Sequence, residues 1–247
     1  MLVAAKRDKT LDPLHEEQRI PRLGRGVDAS GNLSDDAMQR VLTALNEYRY
    51  TLADNYPDTA SLTVTATSAV RDAANRDYFI DWVREETGLE IQLLSGKEEA
   101  EYTFSGALSM IPNIEEAVVI DIGGGSTEIA FGKNNLLEDS HSYDMGSVRF
   151  TERYLRNDLP DPDEIIRCRK EIKKVFQTRP FDFNPGRGEL NLIGVAGTVT
   201  SLAYMDLGLT RYDADRINGY KLSAEAINRW VEKISASSVN PLEEQFP

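Results

Sequence analysis

The run Asp121-Ile122-Gly123-Gly124-Gly125-Ser126-Thr127-Glu128 sets two carboxylates on either side of three glycines and two hydroxyls. Successive glycines leave backbone N–H groups unobstructed by Cβ atoms, which is what a phosphate oxygen needs for close approach, and Ser126 and Thr127 can add hydroxyl donors. Asp121 can hold a divalent cation, commonly Mg²⁺, while Glu128 can align a water or join the metal. A carboxylate beside a phosphate cradle makes chemical sense mainly when a cation bridges the two. The plain alternative is a glycine-rich hairpin turn that binds nothing, and the flanking acids weigh against it. No Gly-Lys-Ser/Thr follows, and the glycines lead to a strand instead of opening a helix, so neither a Walker loop nor a dinucleotide fingerprint fits.

Such a loop needs elements to hold it. Ala117 to Asp121 is an apolar run ending in a carboxylate, and Thr127 to Phe131 is a second run, which predicts a tight β-turn-β unit with a glycine tip. Leu62 to Ala66 reads as a strand that runs into a helix at Thr67-Ser68-Ala69-Val70-Arg71. Arg71 at that junction can set a planar guanidinium against a phosphate or form a surface ion pair. Asn191 to Val195 predicts another buried strand turning into a helix at Ala196, where Gly197 and Thr198 can offer a backbone N–H and a hydroxyl to an outer phosphate, or merely cap the helix. Ser34 with Asp35 and Asp36 predicts a helix over 34–54 with Met38, Val41, Leu42 and Leu45 on its apolar face. Tyr78 to Val83 fits a helix stopped by Gly88, Glu90 to Leu94 a strand, and a further helix starts at Gly96. On the residues alone, Glu98 and Glu99 of that helix are solvated surface acids. Asn184-Pro185-Gly186-Arg187-Gly188 reads as an exposed loop. The alternation predicts two α/β units, 1–108 and 109–247.

With 247 residues, 40% hydrophobic and 28% charged, the chain can bury a core in each of two modest domains. A formal charge of −13, from 41 acidic and 28 basic residues, disfavours a nucleic-acid or membrane binder with a broad basic surface, so an anionic substrate must be bound locally. Cys168 is the single cysteine, and with His15 and His141 it suggests neither a disulfide framework nor a zinc site. No stretch approaches the ~20 apolar residues that span a bilayer, and the amino terminus has no signal-peptide layout, which predicts a cytoplasmic protein without membrane partners.

Three segments carry a resemblance: Thr67-Ser68-Ala69-Val70-Arg71, Leu94-Ser95-Gly96-Lys97-Glu98-Glu99-Ala100, and Val119 through Glu128. In kind and order they resemble the signature segments of the exopolyphosphatase/guanosine pentaphosphate phosphohydrolase (Ppx/GppA) family. Arg22 to Val27, Met145 to Val148 and Gly194 to Thr198 agree more weakly, so the likeness runs along nearly the whole chain. The resemblance implies an actin-like, ribonuclease H-like α/β fold of two domains with a cleft between them. It implies hydrolysis of a terminal phosphoanhydride bond, releasing orthophosphate from inorganic polyphosphate or guanosine pentaphosphate, with Mg²⁺, a monovalent cation as a further candidate, and a homodimer.

On this resemblance Glu99 is the general base and Glu128 the second catalytic carboxylate. Arg71, Gly123, Gly124, Gly125, Ser126, Gly197 and Thr198 bind phosphate, and Asp121 and Glu128 hold the metal. The family's first phosphate loop, Asp-x-Gly-Ser-Asn-Ser, has no counterpart here, and its closing glycine-rich, arginine-containing segment is also missing, so both ends are expected to be clipped. That departure motivates an alternative, a polyphosphate- or nucleotide-binding protein of the same fold that does not cleave. An actin-like sugar kinase or acetate-kinase-like phosphotransferase is disfavoured by Ser95-Gly96-Lys97-Glu98-Glu99-Ala100. Action on short chains or nucleotides is expected over processive action on long polyphosphate.

Overall fold

The computed structural model describes the chain apart from Asp8, Lys9, Met110, Pro112, Asn113, Asp182, Arg187, Gly188, Phe246 and Pro247, with the backbone alone at Thr10 and Glu243 to Gln245. It divides into two units, Met1–Ser95 and Gly96–Pro247.

The first unit runs β1 (Leu2–Arg7), β2 (Thr10–Glu16), α1 (Val27–Ser30), α2 (Asp35–Asn55), β3 (Val64–Ala66), α3 (Ser68–Arg71), α4 (Arg76–Thr87) and β4 (Ile91–Leu93). The cap-and-acid signal starts α2 as expected: the Ser34 hydroxyl accepts the Ala37 N–H at 3.3 Å, with Asp35 and Asp36 in the first turn. Met38 and Leu42 then face Phe79 and Val83 of α4 in the core of this unit. Gly88 ends α4 at φ 69°, a left-handed conformation that favours glycine. Strands β1 and β2 pair antiparallel, and β3 and β4 pair parallel. The strand expected over Leu62 to Ala66 is shorter, because β4 offers only three partners, from Val64 opposite Ile91 to Ala66 opposite Leu93. Leu62 is left exposed.

The second unit runs α5 (Gly96–Ser109), β5 (Glu116–Ile122), β6 (Thr127–Lys133), β7 (Leu136–Tyr143), α6 (Ser147–Tyr154), α7 (Pro162–Thr178), β8 (Leu190–Val195), α8 (Ala196–Asp206), α9 (Ala214–Ile217), α10 (Ala224–Ser235) and α11 (Val239–Gln245). Its sheet has the order β7-β6-β5-β8, antiparallel except that β8 runs parallel to β5. Both faces are covered, which is why β5 and β6 read as nearly unbroken apolar runs. Val118, Ile129 and Phe131 pack with Phe150 of α6 and Cys168 of α7, while Ala117, Val119 and Ala130 pack with Ala100, Phe104 and Leu108 of α5.

That second cluster moves the division of the chain. The sequence placed α5 with the first unit, up to residue 108, whereas its apolar face is seated on the sheet of the second, so the division falls between Ser95 and Gly96. Asp206, at the end of α8, accepts hydrogen bonds from the Tyr220 hydroxyl (2.8 Å), Arg229 Nη2 (2.7 Å) and Trp230 Nε1 (2.8 Å), tying α10 to α8. In the loop expected at 184–188, the Gly186 N–H donates to Glu116 Oε2 at 2.7 Å; Arg187 and Gly188 lie outside the described residues.

Candidate active site

The period of two along a strand assigns Asp121 to the same face of the sheet as Ala117 and Val119, and Glu128 to the face of Ala130, which is the face α5 covers. In register, Asp121 stands opposite Glu128, and Glu128 stands opposite Ser142 of β7. Both carboxylates receive a hydroxyl proton: Thr103 Oγ1 of α5 donates to Asp121 Oδ2 at 3.2 Å, and Ser142 Oγ donates to Glu128 Oε1 at 2.7 Å.

Glu128 is only 2% exposed, and its second oxygen, Oε2, is buried without any hydrogen-bond partner. A buried carboxylate oxygen left unsatisfied costs free energy, so Oε2 needs a partner from outside the chain, which a water, an ion or a ligand can supply. Burial pushes the Glu128 carboxyl from 4.5 up to about 7; the Ser142 hydrogen bond opposes this, the charge of nearby Glu99 adds to it, the neighbouring Ser126 hydroxyl opposes it, and the charge of Asp121 adds a little more. Asp121 is raised as well, again by burial and against the Thr103 hydrogen bond. Glu99, half-buried in the first turn of α5, therefore belongs to the same acidic cluster.

The glycine loop is braced by its neighbours. Gly123 N–H closes the turn on Ser126 O at 3.1 Å, and the chain entering α6 grips the other side: Ser147 N–H donates to Gly123 O (2.9 Å) and Arg149 N–H to Gly124 O (3.0 Å). A Cβ on Gly146 would fall on the Gly124 carbonyl, so only glycine permits this approach. Among the described residues no protein acceptor takes the N–H of Gly124 or Gly125, and Gly124 is exposed. Such N–H groups can donate to an anion.

The hydroxyls expected to bind phosphate are turned inward instead. Thr127 Oγ1 donates to Met145 O at 2.7 Å, Ser126 is only 2% exposed, and Thr198 Oγ1 donates to Ile122 O at 2.9 Å. The physical reason is location: all three sit where the loop or helix end must be fastened to the sheet, and a buried hydroxyl takes the nearest acceptor. Thr198 thus ties the first turn of α8 to the strand that carries Asp121. Gly197 beside it has open space where a Cβ would stand, and Ala196 adopts a left-handed φ of 65° at the start of α8.

Glu99, Asp121, Glu128 and the Gly123 to Gly125 loop are brought together in the second unit, with Gly197 and Thr198 joined to it through Ile122. Arg71 lies in the first unit, where its Nη1 donates to Leu94 O at 2.8 Å and its own carbonyl accepts from Arg76 Nη1 at 3.0 Å. Among the described residues no three His, Cys, Asp or Glu side chains form a metal cage. Two carboxylates, completed by water and phosphate oxygens, are the donor set that Mg²⁺ commonly takes, and the orphaned Glu128 Oε2 fits that use. Sequence reasoning passed over Thr103 and Ser142, whose roles follow only from strand register and helix seating; Gly146 stood in a matched segment without an assigned role.

A glycine loop flanked by carboxylates on an α/β scaffold defines the class. The chain belongs to the Ppx/GppA phosphatase family, whose family model matches residues 2–244. It is 35% identical over 218 residues to exopolyphosphatase 2 of Mycobacterium tuberculosis, an alignment covering 84% of this chain and 66% of that protein. Among solved structures it is similar to the Aquifex aeolicus Ppx/GppA enzyme, with a TM-score of 0.79 at 26% identity over 99% of this chain and 79% of that one. It is also similar to an exopolyphosphatase from Cytophaga hutchinsonii, with a TM-score of 0.82 at 26% identity over 96% of this chain and 76% of that one. The α/β class expected from the sequence is the class of this fold, which is that of these Ppx/GppA structures. Among the described residues no helix is long and apolar enough to cross a membrane.

Proposed function

We propose that this chain hydrolyses the terminal phosphoanhydride bond of inorganic polyphosphate or guanosine pentaphosphate, releasing orthophosphate. The observation that carries the reading is the buried, partnerless Glu128 Oε2 beside a glycine loop with two uncommitted N–H groups. Phosphoryl transfer asks a protein mainly for positioning and charge neutralisation, and these groups offer both. Gly124 and Gly125 donate to oxygens of the terminal phosphate. Asp121 and Glu128 hold Mg²⁺, which when bound neutralises charge on the phosphate oxygens. Glu99 orients a water in line with the bond to be broken and takes its proton as the new P–O bond forms. The P–O bond to the bridging oxygen breaks, its electron pair stays on that oxygen of the shortened chain or nucleotide, and the attacked phosphoryl group leaves as orthophosphate.

The test is phosphate release from tripolyphosphate and from guanosine pentaphosphate, with Mg²⁺ and with chelator, for the wild type and Glu99→Gln. Release that needs Mg²⁺ and falls by about a hundredfold or more in Glu99→Gln supports the assignment of a general base. Release at the wild-type rate in that variant removes Glu99 from the mechanism. Thermal stabilisation by tripolyphosphate without any release assigns a binding protein instead.

A further inference from the structure

We propose that Ser142 and Thr103 are the positioning residues of this site, each holding one oxygen of a carboxylate so that its other oxygen faces the ligand. The proposal rests on the reading of Asp121 and Glu128 as the metal-holding pair. It begins from the sheet, where Asp121, Glu128 and Ser142 occupy directly opposed positions on β5, β6 and β7 and so form one row across three strands. Neighbouring strands lie about 4.8 Å apart.

Helix α5 lies along this row. A Cβ on Gly96 would meet Ser142 Cβ at 2.8 Å and Ser142 Oγ at 3.0 Å, which seats the first residue of α5 on β7. Two turns further, Thr103 Oγ1 reaches Asp121 Oδ2 on β5 at 3.2 Å. Glu99, between them, is close enough to Glu128 on β6 for its charge to be felt there. A helix advances about 5.4 Å per turn, so residues 96, 99 and 103 keep step with the strand spacing. The match is residue for residue: Gly96 with Ser142, Glu99 with Glu128, Thr103 with Asp121.

A carboxylate on a long side chain can rotate about its last bond and present either oxygen. The Ser142 hydrogen bond, 2.7 Å long, takes Oε1 and leaves Oε2 as the oxygen without a partner. Thr103 does the same for Asp121 from the opposite end of the row. Neither hydroxyl touches substrate on this reading; each acts through the carboxylate it holds. Gly96 is required because any side chain there would strike Ser142 and lift the turn that carries Glu99.

The experiment uses the full wild-type chain and three variants in the same buffers: Ser142→Ala, the isosteric Thr103→Val, and its rescue Thr103→Ser. Two readouts are taken, the affinity for Mn²⁺ alone by electron paramagnetic resonance, and kcat and KM for tripolyphosphate with Mg²⁺. The result expected is Mn²⁺ affinity weakened about tenfold in Ser142→Ala and Thr103→Val, with recovery in Thr103→Ser. In the same variants kcat falls about tenfold or more while KM stays within about twofold. Circular dichroism melts check that each variant is folded, and an unfolded Ser142→Ala leaves the Thr103 pair to decide.

Mn²⁺ affinity that does not differ between wild type and folded variants, including no binding by any of them, overturns the proposal. If the wild type cleaves neither substrate yet the two hydroxyl deletions weaken Mn²⁺ binding, the positioning role stands and the hydrolase reading falls. If the wild type cleaves and the deletions leave kcat and Mn²⁺ affinity alone, the reverse holds.

Discussion

Replacing Glu128 by glutamine removes a carboxyl group that the fold keeps dry while preserving most of its shape, and the free-energy consequence can be worked from its environment. An unfolded glutamate ionises near 4.5, whereas the folded chain holds this proton until about pH 7. The folded state therefore binds more protons than the unfolded state in between, so stability falls as pH rises from 4.5 to 7 and levels off above that. Each pH unit of the displacement is worth about 1.4 kcal/mol, which gives a loss of about 3 kcal/mol in the wild type that Glu128→Gln does not suffer. The side chain is nearly fully buried, so solvent screening discounts this little.

The measurement is urea unfolding with EDTA present, from about pH 4 to pH 8.5, extrapolated to water. Each unit holds one of the two tryptophans, Trp82 in α4 and Trp230 in α10, so a Trp82→Phe background reports the second unit by Trp230 fluorescence. The stability of Glu128→Gln relative to the wild type should grow by about 3 kcal/mol across that range, most steeply midway between 4.5 and 7 and levelling off above neutrality. A difference that does not change with pH refutes the argument, because it would mean that Glu128 is solvated or already paired in the free protein. With Mg²⁺ added, the wild type should regain stability above pH 7 more than below it, since a metal-held carboxylate must release its proton first.

Substitutions at three other positions probe the supports of the fold and site. Gly146→Ala drives a methyl group into the Gly124 carbonyl and should cost about 1–3 kcal/mol while abolishing stabilisation by tripolyphosphate in a thermal-shift assay. Ala196→Gly relieves a left-handed residue and should raise stability by about 1 kcal/mol in urea unfolding, with Ala196→Val lowering it. Asp206→Ala strips the acceptor from Tyr220, Arg229 and Trp230 together and should lower the unfolding midpoint and red-shift Trp230 emission. Those hydrogen bonds, that of Trp230 foremost, hold the Asp206 carboxyl below its usual value, so its stabilisation is full above the ordinary aspartate range and fades as pH falls. The gap between wild type and Asp206→Ala should therefore close in acid.

The local chemistry of this chain is written in its sequence. Ser34 before two aspartates starts α2, Gly88 stops α4, and an apolar run ending in Asp121 before three glycines makes a strand and a tight turn, because caps, left-handed turns and period-two burial act over a few residues. The residue types of the loop likewise announced a glycine turn between two carboxylates. What the sequence left undecided needed distant parts of the chain to meet. Whether Glu99 was a solvated acid or a member of the cluster depended on α5 lying on the sheet of the second unit, which Ala100, Phe104 and Leu108 decide by packing on Ala117, Val119 and Ala130. Whether Ser126, Thr127 and Thr198 faced a ligand or the protein depended on which acceptors the fold set beside them. Ser142 and Thr103 carry no signal at all along the chain, because a hydroxyl becomes a positioning group only when strand register and helix seating set it against a buried carboxylate.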